Sequence, residues 1–587
     1  MILAVNQPRP WLVSLGGTLL IGLSVLPVLA AFYMMCTHWV PVPYWDEWDS
    51  PGQQLAAYYR GTLSFADLFS QHNESRSFFP RLLYFAIYLP AGWDVRYGMV
   101  ATFALACAGS AGLYKIARRT NPSRGAGLLM FAAMNFLLFS PRQYENFLYA
   151  IMGEVFTPVC ALIFATLVNL SNLSFKWKAL VNAALAFAST YTFANGMLLW
   201  VLAFPLATTP ANRPGQARSR SSWRVVYAVI GAASVIGYFI SYRHPPLSPP
   251  FVSPLGRLPA LLHFLLVWIG SLFSVGPPAL CGTLVVLLFG GLAAVAISQA
   301  RRTGAWQACY PWLLLGCYTL ISGSIVAIGR LGFGYSMAGD VRYTVTTAFL
   351  HIAVVGLGFS VYAQAKPRPL TKRIGVSASV AFSIIFFSLW SATFKKERRF
   401  LHTFTAVRQH SLLVLRWSEA IPQNPEIGLL SPYPLGDVVT IIRTLAENDA
   451  LRPRLVSQKL ATAINERPNA ENAAAGTLEA AGFEGSELVF HGWACVPDQD
   501  RPADCVVLGF APPNGAWKPY CVAETGGNRS DARQPARAAL KRAGFSGRVE
   551  ATNLGPGNFF TLKAWAVDLQ NERTFPIAGE ASVQLQR

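Results

Sequence analysis

Three segments that lie far apart in the sequence each carry polar side chains beside long apolar runs. The motif YWDEWD (44–49) opens the first segment, FSPRQYENFLYAIMGEVF (139–156) forms the second, and GRLGFGYSMAGDVRYTV (329–345) forms the third. Their candidate site residues are Asp46, Glu47, His72, Glu74, Arg76, Arg81, Arg142, Glu145, Arg330, Arg342 and Tyr343. A charge beside an apolar helix is costly to bury and usually faces a cavity or a partner. If the segments converge, we expect an outward-facing pocket with carboxylates on one side and arginines on another.

The acidic residues are suited to proton transfer. A carboxylate can remove the proton of an acceptor hydroxyl as a general base, and Asp46 or Glu47 is the candidate for this role. His72 and Glu74 would orient the acceptor, or bind a divalent cation together with Asp46, because carboxylate and imidazole suit several metals. Alternatively, Asp46 and Glu47 are solvated residues at a helix exit, and the tryptophans of the motif anchor the chain at the membrane interface.

The arginines are suited to holding a phosphate by paired, charge-assisted hydrogen bonds. Arg330 and Arg342 are the stronger candidates because they flank a glycine-rich turn, although a structural role stays open. The two arginines of the first segment either bind phosphate, cap helices or contact lipid headgroups. Arg142 and Glu145 stand one helical turn apart and can form a local ion pair. This mixture suits the transfer of a sugar from polyprenyl phosphate to an acceptor hydroxyl at a membrane surface.

The composition indicates that a polytopic membrane protein positions these residues. Of 587 residues, 53% are hydrophobic and only 13% are charged, which is too apolar for a soluble chain of this size. Apolar runs of about 18 to 25 residues recur, each long enough to cross a membrane as a helix. We predict eleven spans, at 11–36, 95–116, 125–139, 148–170, 179–193, 195–207, 223–241, 279–298, 307–328, 345–364 and 374–394. The run 261–273 is predicted to lie at the interface or to cross only halfway.

The net charge of +19 comes from basic clusters between the apolar runs. These clusters, at 115–124, 176–178, 212–224, 301–302 and 366–373, contain no acidic residue. Lys and Arg near the ends of spans stay in the cytoplasm, so we expect a cytoplasmic N-terminus and a periplasmic C-terminal part in a bacterial inner membrane. The same pattern argues against nucleic acid as a partner, since the positive charge is accounted for by topology.

The last third of the chain has a different character. Only nine of the 29 acidic residues precede residue 395, and no spanning run follows it. We predict a transmembrane domain at 1–394 with a first outer loop at 37–94, a helical connector at 395–475 and an antiparallel β-sandwich at 476–587. The sandwich is indicated by short alternating runs that are bounded by turn residues. Cys495, Cys505 and Cys521 allow one disulfide and one leftover thiol.

The order of these features resembles the GT-C superfamily of integral membrane glycosyltransferases. One span precedes an acidic pair in a long outer loop, and many further spans and an outer C-terminal domain follow. The resemblance in architecture covers residues 11–394. The resemblance in motif is limited to the acidic pair Asp46-Glu47. It implies that this pair is catalytic and that the donor is a lipid-phosphate sugar. We expect the acceptor to be an envelope glycan, a lipid-linked glycan or a protein. HNESRSFFPRLL, PRQYENFLY and GDVRYT are similar to segments of bacterial multi-pass membrane proteins that have no assigned activity.

Two other functions fit the same residues. A transporter or flippase of lipid-linked saccharides also needs a polar cavity and arginines, but transporters tend to have paired repeats with broken helices. A non-catalytic envelope scaffold would use the C-terminal domain to recruit partners and would tolerate the loss of the charges. Beyond a possible divalent cation, the sequence predicts no cofactor.

Overall fold

The long apolar runs fold into helices. A computed structural model describes residues 10–121, 123–207, 214–246, 248–365, 369–432, 435–465, 474–511, 517–528, 538–551 and 559–584. Over these residues the chain is mostly helical, and seven helices are long and apolar enough to cross a membrane. They are Gly17–His38, Val95–Thr120, Ala150–Asn169, Ala217–Phe239, Pro278–Thr303, Trp306–Phe333 and Val341–Gln364. Arg124–Leu138 and Pro141–Leu148 meet at a bend of 42° and make an eighth if they form one broken span.

Three of the eleven predicted spans are not among these helices. The run at 179–193 lies largely in the 16-residue helix Phe175–Thr190, and the run at 374–394 lies in the 49-residue helix Pro369–Trp417. The run at 195–207 contains a 3₁₀ turn, Ala194–Leu198, and a four-residue helix, Leu199–Leu202. The chain turns back tightly at Gly196, where an added Cβ would lie 2.0 Å from the carbonyl oxygen of Ser189. The number of eleven spans therefore stays a prediction.

The described residues fall into two compact units. The first comprises residues up to Trp39, Ser64–Ile87 and Arg96–Thr403, and the second comprises Val40–Leu63, Tyr88–Val95 and Phe404–Arg587. The predicted first outer loop, 37–94, thus contributes to both units. The other helices of at least seven residues are Gln53–Tyr59, Phe78–Ala91, Pro254–Gly270, Leu435–Glu447 and Gln458–Asn465.

Within the first unit, two helices touch backbone to backbone. Pro254–Gly270, which contains most of the run predicted to be interfacial, packs against Pro278–Thr303. A Cβ added at Gly282 would lie 1.9 Å from the carbonyl oxygen of Leu266, and one added at Gly270 would lie 1.9 Å from that of Pro278. Small residues allow such close approach between apolar helices. The two glycines therefore set the distance between these helices.

The C-terminal region, within the second unit, is rich in antiparallel sheet. One sheet has the strand order Arg573–Pro576, Phe559–Asp568, Cys505–Ala511, Lys518–Ala523, and Ala581–Gln584 also pairs with Phe559–Asp568. The other has the order Gly476–Glu484, Glu487–Val496, Gly544–Glu550, Thr525–Gly527, and Arg501–Pro502 pairs with Glu487–Val496. Buried side chains from both sheets, including Phe490, Leu508 and Leu562, form one hydrophobic cluster.

The three cysteines of this region are buried thiols. Cys495, Cys505 and Cys521 are each at most 3% exposed, and none of them forms a disulfide. Cys505 and Cys521 lie on neighbouring strands of the first sheet. They pack as small apolar side chains, which is how buried cysteines usually behave.

A charged pair lies beside these sheets in the second unit. His410, on helix Pro369–Trp417, has its Nε2 2.9 Å from Oε1 of Glu426. Burial lowers the pKa of His410, but the hydrogen bond and charge of Glu426, together with the charge of Glu524, outweigh burial and raise it above its usual value. The protonated ring therefore stabilises the folded state.

Replacing Gly282 by Ala should destabilise the first unit. The added Cβ forces the two helices apart, and overpacking of this kind costs about 1–3 kcal/mol. Gly290→Ala on the same helix is the matched control, because an added Cβ there meets no atom within 4 Å. We expect Gly282→Ala to lower the apparent melting temperature of the purified protein in detergent and Gly290→Ala to leave it unchanged or slightly raised. Equal losses would contradict the packing described here.

The stability of the second unit should fall as the pH rises through neutrality. Because the pKa of His410 is raised in the folded state, its contribution is fully present below about pH 6.5, the usual value for histidine, and is lost as the pH rises through the folded value. Melting temperatures of wild type and His410→Gln between pH 5.5 and 8 measure this contribution. The wild type should lose more stability than the variant over that range. His491→Gln, at a half-exposed ring, should retain the slope of the wild type.

Candidate functional site

The first and third polar segments meet at an ion pair in the first unit. Nη2 of Arg330 lies 2.7 Å from Oε2 of Glu74, and both side chains are 24% exposed. The hydroxyl of Ser248 donates to Oε1 of Glu74 at 2.9 Å and accepts from Nη1 of Arg330 at 3.1 Å. Glu74 is in the two-residue turn between the short strands Gln71–His72 and Ser75–Arg76. This hairpin therefore presents the carboxylate to the end of helix Trp306–Arg330.

The two arginines of the first segment are held by backbone carbonyls. Nε and Nη2 of Arg76 donate to the carbonyl oxygens of Tyr238 and Ile240, at the end of helix Pro214–Phe239, and its Nη1 donates to Phe69. Arg81 is 1% exposed, and its Nη1 donates to the carbonyl oxygens of Asp67, Leu68 and Ser70. Cations near helix C-termini satisfy carbonyls that have no partner within the helix. The helix-capping alternative thus describes the contacts of both residues.

His72 lies in the same hairpin and is 5% exposed. Its Nε2 lies 3.4 Å from Nδ2 of Asn73, which adopts the left-handed conformation that the turn requires. Among the residues described by the structure, no group of three or more His, Cys, Asp or Glu side chains is placed to hold a metal ion.

The second and third segments meet at Arg142. Its Nη1 pairs with Oε1 of Glu397 at 2.6 Å, and its Nη2 donates to the carbonyl oxygen of Gly339 at 2.8 Å. The carboxylate partner thus comes from helix Pro369–Trp417. The Glu397 side chain is 2% exposed and that of Arg142 is 13% exposed. This pair is much more buried than the pair of Arg330.

A buried polar network connects the same two segments. Nδ2 of Asn146 donates to Oε1 of Gln143 at 2.6 Å and to Oγ1 of Thr344 at 2.9 Å. Gln143, Asn146 and Thr344 are fully buried. Buried polar groups are rigid when their hydrogen bonds are made. The network therefore holds the second segment against the start of helix Thr344–Gln364.

Asp340 and Arg342 form a local pair in the third segment. Oδ1 of Asp340 accepts from the backbone N–H and Nε of Arg342, and Oδ2 accepts from Nη2 at 2.9 Å. Burial alone would raise the pKa of the Asp340 carboxyl, but the hydrogen bonds and charge of Arg342 outweigh it and hold the pKa below its usual value. Asp340 is thus ionised, and the guanidinium of Arg342 has a fixed orientation. Tyr343, next in sequence, is half-buried near Trp268.

A cavity of about 490 Å³ opens between these two segments. Its lining residues are Arg142, Tyr144, Glu145, Phe333, Ser336, Met337, Gly339, Asp340, Val341 and Phe400. Small-molecule pockets commonly have volumes of about 300–1,000 Å³, apolar and aromatic walls, and a few polar groups. The cavity has this composition, and it contains three charged residues from the second and third segments.

Asp46 and Glu47 belong to the second unit. Glu47 is 2% exposed, and its Oε2 accepts the backbone N–H of Tyr44 at 2.7 Å; Asp46 is half-buried. The ring of Trp48 packs edge to face on that of Trp93, with centroids 5.1 Å apart. The acidic pair is therefore in a well-packed turn, and Asp46 is its more accessible member.

The sequence did not indicate several residues that complete these contacts. Glu397 lies within the basic run KKERR, and Ser248 lies in a proline-rich loop. Phe333 and Phe400 line the cavity but carry no charge. Of these residues, only Glu397 stands out in the sequence, because it is a single acidic residue among four basic ones beside an apolar run.

No protein-family model, no curated protein and no solved structure matches the chain.

Breaking the buried pair should cost more stability than breaking the exposed pair. Glu397→Gln leaves the charge of Arg142 buried without its carboxylate, which costs about 3–5 kcal/mol for buried pairs. Glu74→Gln is the matched control, because its pair is partly exposed and such pairs contribute less. Melting temperatures in detergent measure both losses. The double variant Arg142→Gln, Glu397→Gln should recover part of the loss, and equal losses for Glu397→Gln and Glu74→Gln would contradict this interpretation.

Proposed function

We propose that the chain is a membrane glycosyltransferase that moves a sugar from a polyprenyl-phosphate donor to an envelope glycan, a lipid-linked glycan or a protein. The observation that carries the proposal is the 490 Å³ cavity lined by Arg142, Glu145 and Asp340. It lies at the ends of helices that are apolar enough to cross a membrane. A polar cavity beside apolar helices suits a substrate with a lipid tail and a polar head.

The donor phosphate is assigned to Arg330. Arg142 is in a buried pair with Glu397, and Arg342 makes two side-chain hydrogen bonds to Asp340. Arg330 makes only one to Glu74, in a pair that is a quarter exposed. A phosphate oxygen can replace the carboxylate as the acceptor of Arg330, because both form charge-assisted hydrogen bonds with a guanidinium. Glu74, once released, is then an acid or base beside the phosphate. Arg342, oriented by Asp340, contributes positive charge.

The general base is assigned to Asp46. This role rests on the resemblance of the acidic pair to that of GT-C enzymes, and Asp46 is preferred because Glu47 is buried and bonded to the backbone. The proposal includes the finer architecture as well: eleven spans, a C-terminal β-sandwich, a bacterial inner membrane, a cytoplasmic N-terminus and a periplasmic C-terminal region. The alternating placement of basic clusters along the sequence supports this topology.

Substitution of Asp46 should abolish transfer. Removing a general base usually costs a factor of about 10²–10⁴ in rate, so Asp46→Asn should lose at least about 100-fold. The assay uses the purified full chain in detergent with radiolabelled polyprenyl-phosphate sugars and a membrane lipid extract, and measures covalent transfer of label. Arg330→Gln should raise the KM for the donor, because the phosphate loses its charged partner.

Asp49→Asn is the matched control, since Asp49 belongs to the same motif but lies outside the acidic pair. It should retain transfer at equal protein levels. If Asp46→Asn and Glu47→Gln, singly and together, leave the product unchanged, the enzyme assignment is wrong. Movement of labelled lipid across proteoliposomes without covalent change would favour the transporter instead.

A further inference from the structure

The charges around the cavity do not favour an anion. Arg142 is paired with Glu397, and Arg342 is paired with Asp340. Glu145 also lines the cavity and acts on Arg342 by its charge. Among the lining residues, two carboxylates, Glu145 and Asp340, stand against one guanidinium, Arg142, so the lining has an excess of negative charge. A phosphate placed here would be repelled by the excess carboxylate, since like charges in a partly buried site interact strongly.

We infer that the cavity takes an uncharged, hydroxyl-bearing ring, the sugar part of a lipid-linked saccharide, and that the phosphate stays outside it at Arg330. The inference rests on the proposed function for the identity of the whole substrate. It assigns different chemistry to two neighbouring parts of one site. The guanidinium carbon of Arg330 lies 5.7 Å over the ring of Phe333, and Phe333 lines the cavity.

The aromatic side chains give the cavity an apolar wall. Phe333 is 44% exposed, and Phe400, on a different element, is also a large exposed side chain. Tyr144 completes the aromatic part of the lining. The C–H faces of a sugar ring are apolar and can pack on aromatic rings, which bury large areas at low entropic cost. An inorganic phosphate has no such face and would leave these rings without a contact.

The carboxylates supply acceptors for hydroxyl groups. An ionised carboxylate accepts about four hydrogen bonds and donates none, which suits a ligand that presents several O–H donors. Asp340 already accepts three hydrogen bonds from Arg342, which fix its orientation before a ligand arrives and leave about one acceptor position for a hydroxyl. Glu145 and the hydroxyl of Ser336 add acceptors on the same lining. Charge-assisted hydrogen bonds of this type are stronger than neutral ones.

Direct binding tests the inference without requiring transfer. The full chain is purified in lauryldimethylamine oxide, because a glycoside detergent would compete for the cavity. Saturation-transfer difference NMR is recorded with the methyl glycosides of glucose, mannose and N-acetylglucosamine, and separately with inorganic phosphate as competitor. We expect at least one methyl glycoside to bind, with an affinity that neither 0.5 M NaCl nor phosphate lowers, because the ligand is uncharged.

Variants locate the binding. Glu145→Gln should weaken the glycoside about fivefold, since a charge-assisted bond becomes a neutral one. Phe400→Ala should weaken it by more than Phe394→Ala, its matched control, because Phe394 is a similarly exposed phenylalanine of the same helix that does not line the cavity. Glu419→Gln, at an exposed carboxylate outside the lining, should have no effect.

The inference is overturned if no methyl glycoside binds, if phosphate displaces the glycoside, or if Phe400→Ala and Phe394→Ala behave alike. Transfer measured on the same preparation separates it from the proposed function. Transfer without glycoside binding at this cavity would leave the glycosyltransferase standing and remove the sugar assignment. Glycoside binding that depends on Glu145 and Phe400, without transfer, would support the assignment and count against the enzyme.

Discussion

The arrangement of the first unit depends on one electrostatic constraint: a guanidinium at the end of an apolar helix bundle needs a carboxylate partner. Arg142 meets Glu397, Arg330 meets Glu74 and Arg342 meets Asp340. Two of these pairs join segments that are about 255 residues apart in the sequence. Removing one member of a buried pair leaves a charge whose desolvation is not compensated. The two long-range ion pairs therefore fix the positions of chain segments that are distant in sequence.

This pairing also determines what the cavity between the second and third segments can bind. Because its lining arginine, Arg142, is already paired with Glu397, the cavity has hydroxyl acceptors and aromatic walls but little attraction for an anion. The pair of Arg330 and Glu74 is different, since it is a quarter exposed and neither residue belongs to this lining, so that an incoming anion can reach it. A lipid-phosphate sugar has both kinds of group, a neutral ring and a charged linker. The cavity therefore suits the neutral ring of such a molecule, and the pair of Arg330 and Glu74 suits its charged linker.

The residue types and the apolar runs were readable from the sequence, but the partners were not. Hydropathy alone predicts most of the helices, because a bilayer requires long apolar segments. It could not identify Glu397 as the partner of Arg142, since nothing local links positions that distant. Nor could it show that Arg76 and Arg81 are held by backbone carbonyls, because every residue type carries such a carbonyl. The short turn at Gly196 lies in a run that was predicted to be a span because its residues are apolar, and hydropathy gives no sign of such a turn.

The pair of Arg330 and Glu74 has a consequence for selectivity. An arginine that already has a carboxylate partner sets an energetic threshold, because a ligand gains only the difference between its own bond and the one that it displaces. A small free anion brings no other contact and falls below that threshold. A ligand that also fills a neighbouring cavity or packs along apolar helices exceeds it. Under the proposed function, the ion pair acts as a filter, which keeps abundant inorganic anions from occupying the site while admitting larger molecules that carry the same charge.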